Sequence, residues 1–264
     1  MYHQQGSYPG FGARADPFSV MVSDMKTLSV SNILCKYADD TNLLSPANAD
    51  VGLEAEFSNI CHWAIENKMA INRSKTKEII FHRPNPRNYI LPPPIQDVER
   101  VCCAKFLGIT ISDVLKFDEH VKNILSICSQ RLYLMKQLKN QGMSLKNLDI
   151  VYNALIVSRI TYALPAWGGF LSGQLCNSIN AFFKKSYKYS LVSKIFSLET
   201  LLENADKILF KKSQNQSHCL HTLFPTKNCI PYTLRTRGHQ LTLPHVGTNS
   251  FKMSYVNRVL FKLV

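Results

Sequence analysis

The second half of this 264-residue chain is nearly devoid of acid: residues 121–264 hold 4 Asp/Glu against 19 Lys/Arg, whereas residues 1–120 hold 14 against 12. A surplus confined to one half excludes an evenly mixed surface. It points to a polyanionic partner, either nucleic acid or an acidic membrane surface, and nucleic acid is the expected one. Long hydrophobic runs are missing too. The apolar stretch at residues 155–170 is broken by Arg159 and Pro165, short of the roughly 20 residues a membrane span needs. No membrane-spanning segment is expected. The opening MYHQQGSYPG lacks the basic-then-apolar layout of a secretory signal. Eight cysteines, at positions 35, 61, 102, 103, 128, 176, 219 and 229, show no paired spacing. That argues against a disulfide framework and for reduced thiols in a nucleus or cytoplasm, not a secreted protein.

What is present is the composition of a globular protein, with 45% hydrophobic and 19% charged residues. Its most informative segment is Tyr37-Ala38-Asp39-Asp40, set between the apolar runs ILCKYA and TNLLS. Two such runs around a pair of aspartates read as a β-hairpin with Asp39 and Asp40 as its two-residue loop, because Asp tolerates the positive φ of a tight turn. Neighbouring carboxylates repel each other unless a cation sits between them. Mg²⁺ (or Mn²⁺) binds through such oxygens together with substrate phosphates, so Asp39 and Asp40 read as one corner of a two-metal nucleotidyl-transfer site. An ordinary acidic turn is the alternative.

The fold class expected is α+β. A loop leader and a short apolar element (1–30) precede the hairpin. A helix over about 50–68 follows, with Leu53, Phe57, Ile60, Cys61, Ala64 and Ile65 on one face. Arg73-Ser74-Lys75 makes a turn into the strand KEIIF, and a second strand lies near 95–103. Residues 104–111 read as one strong strand with a glycine kink at Gly108. Together these form a small antiparallel sheet with helices on one face. From residue 117 the period becomes helical. Asp118 caps a helix whose inner face is Val121, Ile124, Leu125, Cys128, Leu132 and Met135, with Lys122, Arg131, Lys136 and Lys139 opposite. Gly142 ends it, Ser144 caps the next, and Pro165 stops that one. A third helix over about 172–190 pairs Leu175, Ile179, Phe182 and Phe183 with Lys184, Lys185 and Lys188. Further helical patches lie near 197–212 and 250–263, around a stretch containing Arg235-Thr236-Arg237. The constellation His218, Cys219, His221, Cys229 and His239 matches no closed zinc spacing, and an apolar helix with incidental histidines is expected there.

Taken in order, these segments resemble the reverse transcriptases of non-LTR (LINE-type) retrotransposons, from the back of the palm through the thumb. KYADDTNLL at 36–44 resembles the family's metal-binding hairpin. WAIENKMAINRSKTK at 63–77 resembles the segment that follows it, and FLGITI at 106–111 is similar to the primer-grip hairpin. FDEHV to RITYALPAW, 117–167, looks like the thumb, and RGHQ at 237–240 and NRVLFK at 257–262 are similar to the ends of such reading frames. The resemblance covers roughly 17–264. It implies a partial palm at 31–112, a helical thumb bundle at 113–190 and a basic C-terminal extension at 191–264.

The resemblance also implies roles. Asp39 is a ligand of the two catalytic Mg²⁺ ions and Asp40 completes the pair. Tyr37 supports the primer terminus. Lys75 or Lys77 lies near the incoming dNTP, solvated turn residues being the alternative. Phe106, Leu107 and Gly108 hold the primer strand, with core packing the alternative for Phe106 and Leu107. The basic residues, Lys184, Lys185 and Lys188 among them, face an RNA template and DNA primer. One departure matters: the family's third metal carboxylate lies on an earlier strand. The only aspartates before the hairpin here are Asp16 and Asp24, and neither has that setting. Gln5-Gly6-Ser7 is a candidate remnant of a template-contacting motif. The expectation is therefore a portion of a reverse transcriptase, without fingers, that polymerises poorly or not at all alone. The rival is a non-catalytic RNA/DNA-binding remnant that retains the basic thumb. The oligomeric state is not legible.

Overall fold

The computed structural model describes residues 20–83, 90–227 and 239–263. Gln5-Gly6-Ser7, Asp16, Cys229 and Arg235-Thr236-Arg237 lie outside the described residues. The chain forms two compact units, Met1–Ala104 and Lys105–Val264. Helix and small sheets are mixed, as an α+β fold requires, but the sheet is not one layer. Among the described residues it is three separate two-stranded ribbons.

In the first unit, β1 (Ile33–Tyr37) and β2 (Asp40–Leu44) pair antiparallel. Their inner residues Leu34 and Leu43 pack on a small core of Val22, Met25 and Ile60, together with Trp63, Met69 and Ile71. Ile60 and Trp63 come from α1 (Leu53–Glu66), whose three-to-four spacing of apolar residues builds that face. Helix α1 ends where Lys68 turns left-handed (φ 56) and Met69 N–H reaches back to the Ala64 carbonyl (2.8 Å), a bond that satisfies one of the carbonyls left over at a helix end. The pair β3 (Lys77–Glu78) and β4 (Glu99–Arg100) is two residues long and parallel. The expected long strand KEIIF does not form. Its anchor is instead a side-chain pair: Arg100 donates to both oxygens of buried Glu78 (2.8 and 3.1 Å) and to the Pro92 and Pro93 carbonyls.

The unit boundary falls inside β5 (Cys103–Phe106), which pairs with β6 (Ile109–Ser112). Residues 104–111 are thus a hairpin, not one kinked strand, and Leu107-Gly108 is its turn. Helix α2 (Asp118–Asn140) follows, with Val121, Ile124, Cys128, Leu132 and Met135 buried. Asp118 does not cap it. Phe117 occupies the cap position without a side-chain bond, and Asp118 and Glu119 place negative charge in the first turn. Left-handed Gly142 (φ 86) closes the helix.

Ser144 then caps α3 (Leu145–Tyr152) by accepting from the Asn147 N–H. This helix continues through a π-helical stretch (Asn153–Val157) into α4 (Ser158–Thr161). Pro165 does not stop that helix. The reversal comes earlier, at left-handed Ala163 (φ 48), and Pro165 sits in the first turn of α5 (Leu164–Trp167), where its missing N–H costs nothing. Ser172 caps α6 (Gly173–Lys188), and Ser197 caps α7 (Leu198–Ser213). The core gathers Met135, Tyr152, Ile156, Trp167, Phe183 and Leu198 from these helices.

Two short C-terminal helices, α8 (Asn249–Met253) and α9 (Tyr255–Lys262), close the unit. Arg258 donates to both Asp206 oxygens at 2.8 Å, and to the Met253 and Pro165 carbonyls. Gly169 makes room for it, since a Cβ there would come within 1.9 Å of Arg258 Nη1. No helix among the described residues is long and apolar enough to cross a membrane.

Candidate active site and nucleic-acid surface

The carboxylate hairpin is present, with its turn one residue earlier than the sequence suggests. Tyr37 and Asp40 are the closing pair, so Ala38 and Asp39 form the loop. The left-handed residue is Ala38 (φ 50), not an aspartate. Cross-strand partners share a face. Tyr37 therefore stands beside Asp40, followed outward by Cys35 with Asn42 and Ile33 with Leu44. This face is open, with Tyr37 66% exposed. Asp39 and Asp40 are also exposed, and among the described residues neither carboxylate makes a hydrogen bond or an ion pair.

Below the tip, polar bonds hold the hairpin on its unit. The Lys36 ammonium donates to the Val22 and Met25 carbonyls; burial, set against nearby Asp24, leaves it easier to deprotonate than an ordinary lysine. Fully buried Glu56 accepts from Leu28 N–H (2.9 Å), Ser29 N–H (2.8 Å) and Asn32 Nδ2 (2.9 Å). Burial alone would push this carboxyl up, but the three donors outweigh it and hold it below its ordinary value. Glu56 thereby orders the loop that feeds β1.

Two adjacent carboxylates without partners are the hard oxygen donors that Mg²⁺ or Mn²⁺ takes, so these residues fit a divalent cation. Among the described residues no group of three or more His, Cys, Asp or Glu lies together. The hairpin offers two carboxylates, and a cation held there would take its other oxygens from water or phosphate. Of the two candidate phosphate lysines, Lys77 is bonded to Glu99 across the β3–β4 bridge. Lys75 is exposed on a turn that Asn72 organises by accepting from Ser74 Oγ (2.7 Å) and Lys75 N–H (3.2 Å). Its ammonium has no partner among the described residues. A cleft of about 240 Å³ in the same unit, lined by Glu54, Phe57, Cys61, His62 and Arg73 among others, does not include the aspartates.

In the second unit, Phe106 is exposed at the end of β5, and the next two residues both have positive φ, Leu107 at 44° and Gly108 at 86°. That double left-handed turn matches the twist of a hairpin and is usually written Asn-Gly; leucine there is why the sequence reads as continuous strand. Lys184, Lys185 and Lys188 are exposed on α6, without a hydrogen bond or ion pair among the described residues. The expected basic face of α2 is less free. Arg131 donates to the Leu155 carbonyl and Lys122 pairs with Glu119 (2.7 Å). Lys136 lies 3.9 Å from the Tyr189 ring centroid, and Lys139 donates to the Tyr189 carbonyl (2.7 Å). The histidines of the zinc-capable constellation bond backbone instead: His218 accepts from Leu220 N–H, His221 meets the Ser213 carbonyl, and His239 uses both ring nitrogens.

The chain is similar to a curated protein, the probable RNA-directed DNA polymerase from transposon BS of Drosophila melanogaster, 28% identical over 144 residues. Over half its length this chain is similar to a transposon RNA-directed DNA polymerase. The match covers 52% of this chain and 16% of that polymerase. No protein-family model matches, and no solved structure does. This similarity supports the retrotransposon resemblance read from the motifs.

Proposed function

We propose that the chain is the palm-to-thumb portion of a retrotransposon reverse transcriptase, acting on an RNA template, a DNA primer and dNTPs. The observation that carries this reading is an exposed carboxylate pair at a hairpin tip, without a partner among the described residues, in a chain similar to a transposon polymerase. In the intact enzyme Asp39 and Asp40 would hold Mg²⁺ or Mn²⁺, which would supply charge stabilisation for phosphoryl transfer and activate the attacking hydroxyl. Tyr37, beside Asp40, supports the primer terminus. Lys75 is the better placed of the two lysines to meet the triphosphate, because Lys77 is already neutralised by Glu99. Phe106, Leu107 and Gly108 hold the primer strand, while Lys184, Lys185 and Lys188 meet backbone phosphates.

Two carboxylates position cations poorly, and nucleotidyl transfer depends on their fixed placement. The chain alone is expected to give no primer extension on poly(rA)/oligo(dT). Adding an N-terminal segment from a related element, with its own aspartate and fingers, restores Mg²⁺-dependent synthesis, and Asp39→Asn abolishes it again. Restored synthesis that survives Asp39→Asn would remove the hairpin from the metal site. The rival, a non-catalytic nucleic-acid-binding remnant, is favoured by the exposed lysines of α6, which have no partner among the described residues. It predicts salt-sensitive binding with no extension under any complementation.

A further inference from the structure

Tyr162 makes a contact that packing does not require. Its side chain is exposed (52%), yet its hydroxyl donates to the Leu107 carbonyl at 2.9 Å, across 55 residues of chain. Leu107 is the one non-glycine residue in the double left-handed turn, with φ 44. A β-carbon in that region crowds the following carbonyl, so a leucine turn relaxes unless something outside holds it. The neighbouring Gly108 completes the fit. Its φ of 86° suits glycine alone, and a Cβ there would already touch the Tyr162 ring at 3.4 Å. Tyr162 is itself anchored. Its carbonyl accepts from Nε1 of fully buried Trp167 at 3.0 Å, and left-handed Ala163 turns the chain between them. A line of bonds therefore runs from the core through Trp167 and Tyr162 to the tip of the β5–β6 hairpin.

We propose that Tyr162 is a positioning residue that holds the Phe106–Gly108 turn in the geometry that meets the primer strand; this rests on the reading of that turn as a primer contact. The hydroxyl acts on the turn's backbone, not on the nucleic acid.

The test uses the whole chain and a primed RNA–DNA duplex carrying 2-aminopurine at the primer 3′ end, with an internally labelled duplex as control. Binding of the unaltered chain should change the terminal fluorescence. Tyr162→Phe keeps the ring and removes the bond. It should lower the terminal response about fivefold, as expected for one lost hydrogen bond, and leave duplex affinity and the internal probe unchanged. Tyr162→4-aminophenylalanine, whose amine can donate to the Leu107 carbonyl in place of the hydroxyl, should keep the response of the unaltered chain. Overturning results are a Tyr162→Phe response equal to that of the unaltered chain, or a loss of the same size in Tyr162→4-aminophenylalanine. If the unaltered chain binds duplex without changing the terminal probe, the turn is not at the primer end, and the primer-contact reading falls along with the proposal.

Discussion

The two units are held together by different means. Among the described residues, the carboxylate-bearing unit gathers its core around three buried apolar side chains, Val22, Met25 and Ile60, while the helical unit clusters 21. The first makes up the difference with directional polar bonds, namely Glu56 on the 28–32 loop, Lys36 on the 22–25 carbonyls and Arg100 on Glu78. A unit held by few buried contacts opens locally at low cost. The residues proposed to meet metal and substrate thus sit on the more adjustable unit, and those proposed to grip the nucleic-acid backbone sit on the more rigid one. The two units also separate in charge, and the expected effects below follow from that contrast, largest first.

Duplex binding tests it most severely. If six or more phosphates are neutralised, affinity for primer–template falls by about a thousandfold or more between about 50 and 200 mM salt. Reversing Lys184, Lys185 and Lys188 should reduce the slope of log K against log salt by about three, for every sequence alike. Asp39→Asn should leave that slope untouched. Salt-independent affinity measured by fluorescence anisotropy would dissolve the contrast.

Next come the arginine pairs, which grade with burial. Arg258→Ala leaves Asp206 charged in a nearly dry site (side chains 3% and 5% exposed), and should destabilise the helical unit by about 3–5 kcal/mol. Arg100→Ala, whose pair is 23% and 4% exposed, should cost the first unit about 1–3 kcal/mol through the unpaired Glu78. Arg73→Ala removes a solvent-facing pair, 49% and 63% exposed, and should cost under about 1 kcal/mol. Each unit contains one of the chain's two tryptophans, Trp63 and Trp167. Two ¹⁹F signals from 5-fluorotryptophan therefore follow the two unfolding transitions separately. Equal effects of Arg258→Ala and Arg73→Ala would erase the distinction.

The smallest effect is a difference in acid response. His120 is buried against Trp167, with Nδ1 accepting from Thr110 N–H (3.3 Å). Burial first, and Arg159 second, depress its pKa below the ordinary 6.5. The unfolded chain then binds that proton more readily than the folded one. The stability contributed is full above 6.5 and is lost as pH falls through the lower, folded value. Glu56, also depressed, but from 4.5, holds its contribution until the pH is more acid still. In acid titration the Trp167 signal should respond before the Trp63 signal, and His120→Phe should delay it. A Trp63 response that comes first would reverse the assignment.

Much of this was legible in the residues. The helical faces of α2, α3 and α6 follow from apolar spacing alone, and the punctuation between α2 and α3 follows from Gly142 and Ser144, because helix periodicity and capping are settled within a few residues of chain. The aspartate pair was legible as a hairpin tip for the same reason, and the charge asymmetry is a property of composition. Tertiary structure decided what depended on distant partners. Ala38, not an aspartate, took the left-handed position once Tyr37 paired with Asp40. Residues 104–111 turned at a leucine that no local preference favours, beside a tyrosine 55 positions away. Lys77 and Arg131 look like free surface cations in the sequence but are committed to Glu99 and the Leu155 carbonyl. Arg258 reads as one more basic residue until Asp206, 52 positions earlier, receives it in a buried site. A local pattern fixes which backbone conformations are cheap, whereas the fate of a charge or a strained turn depends on which atoms the fold brings within about 3 Å of it.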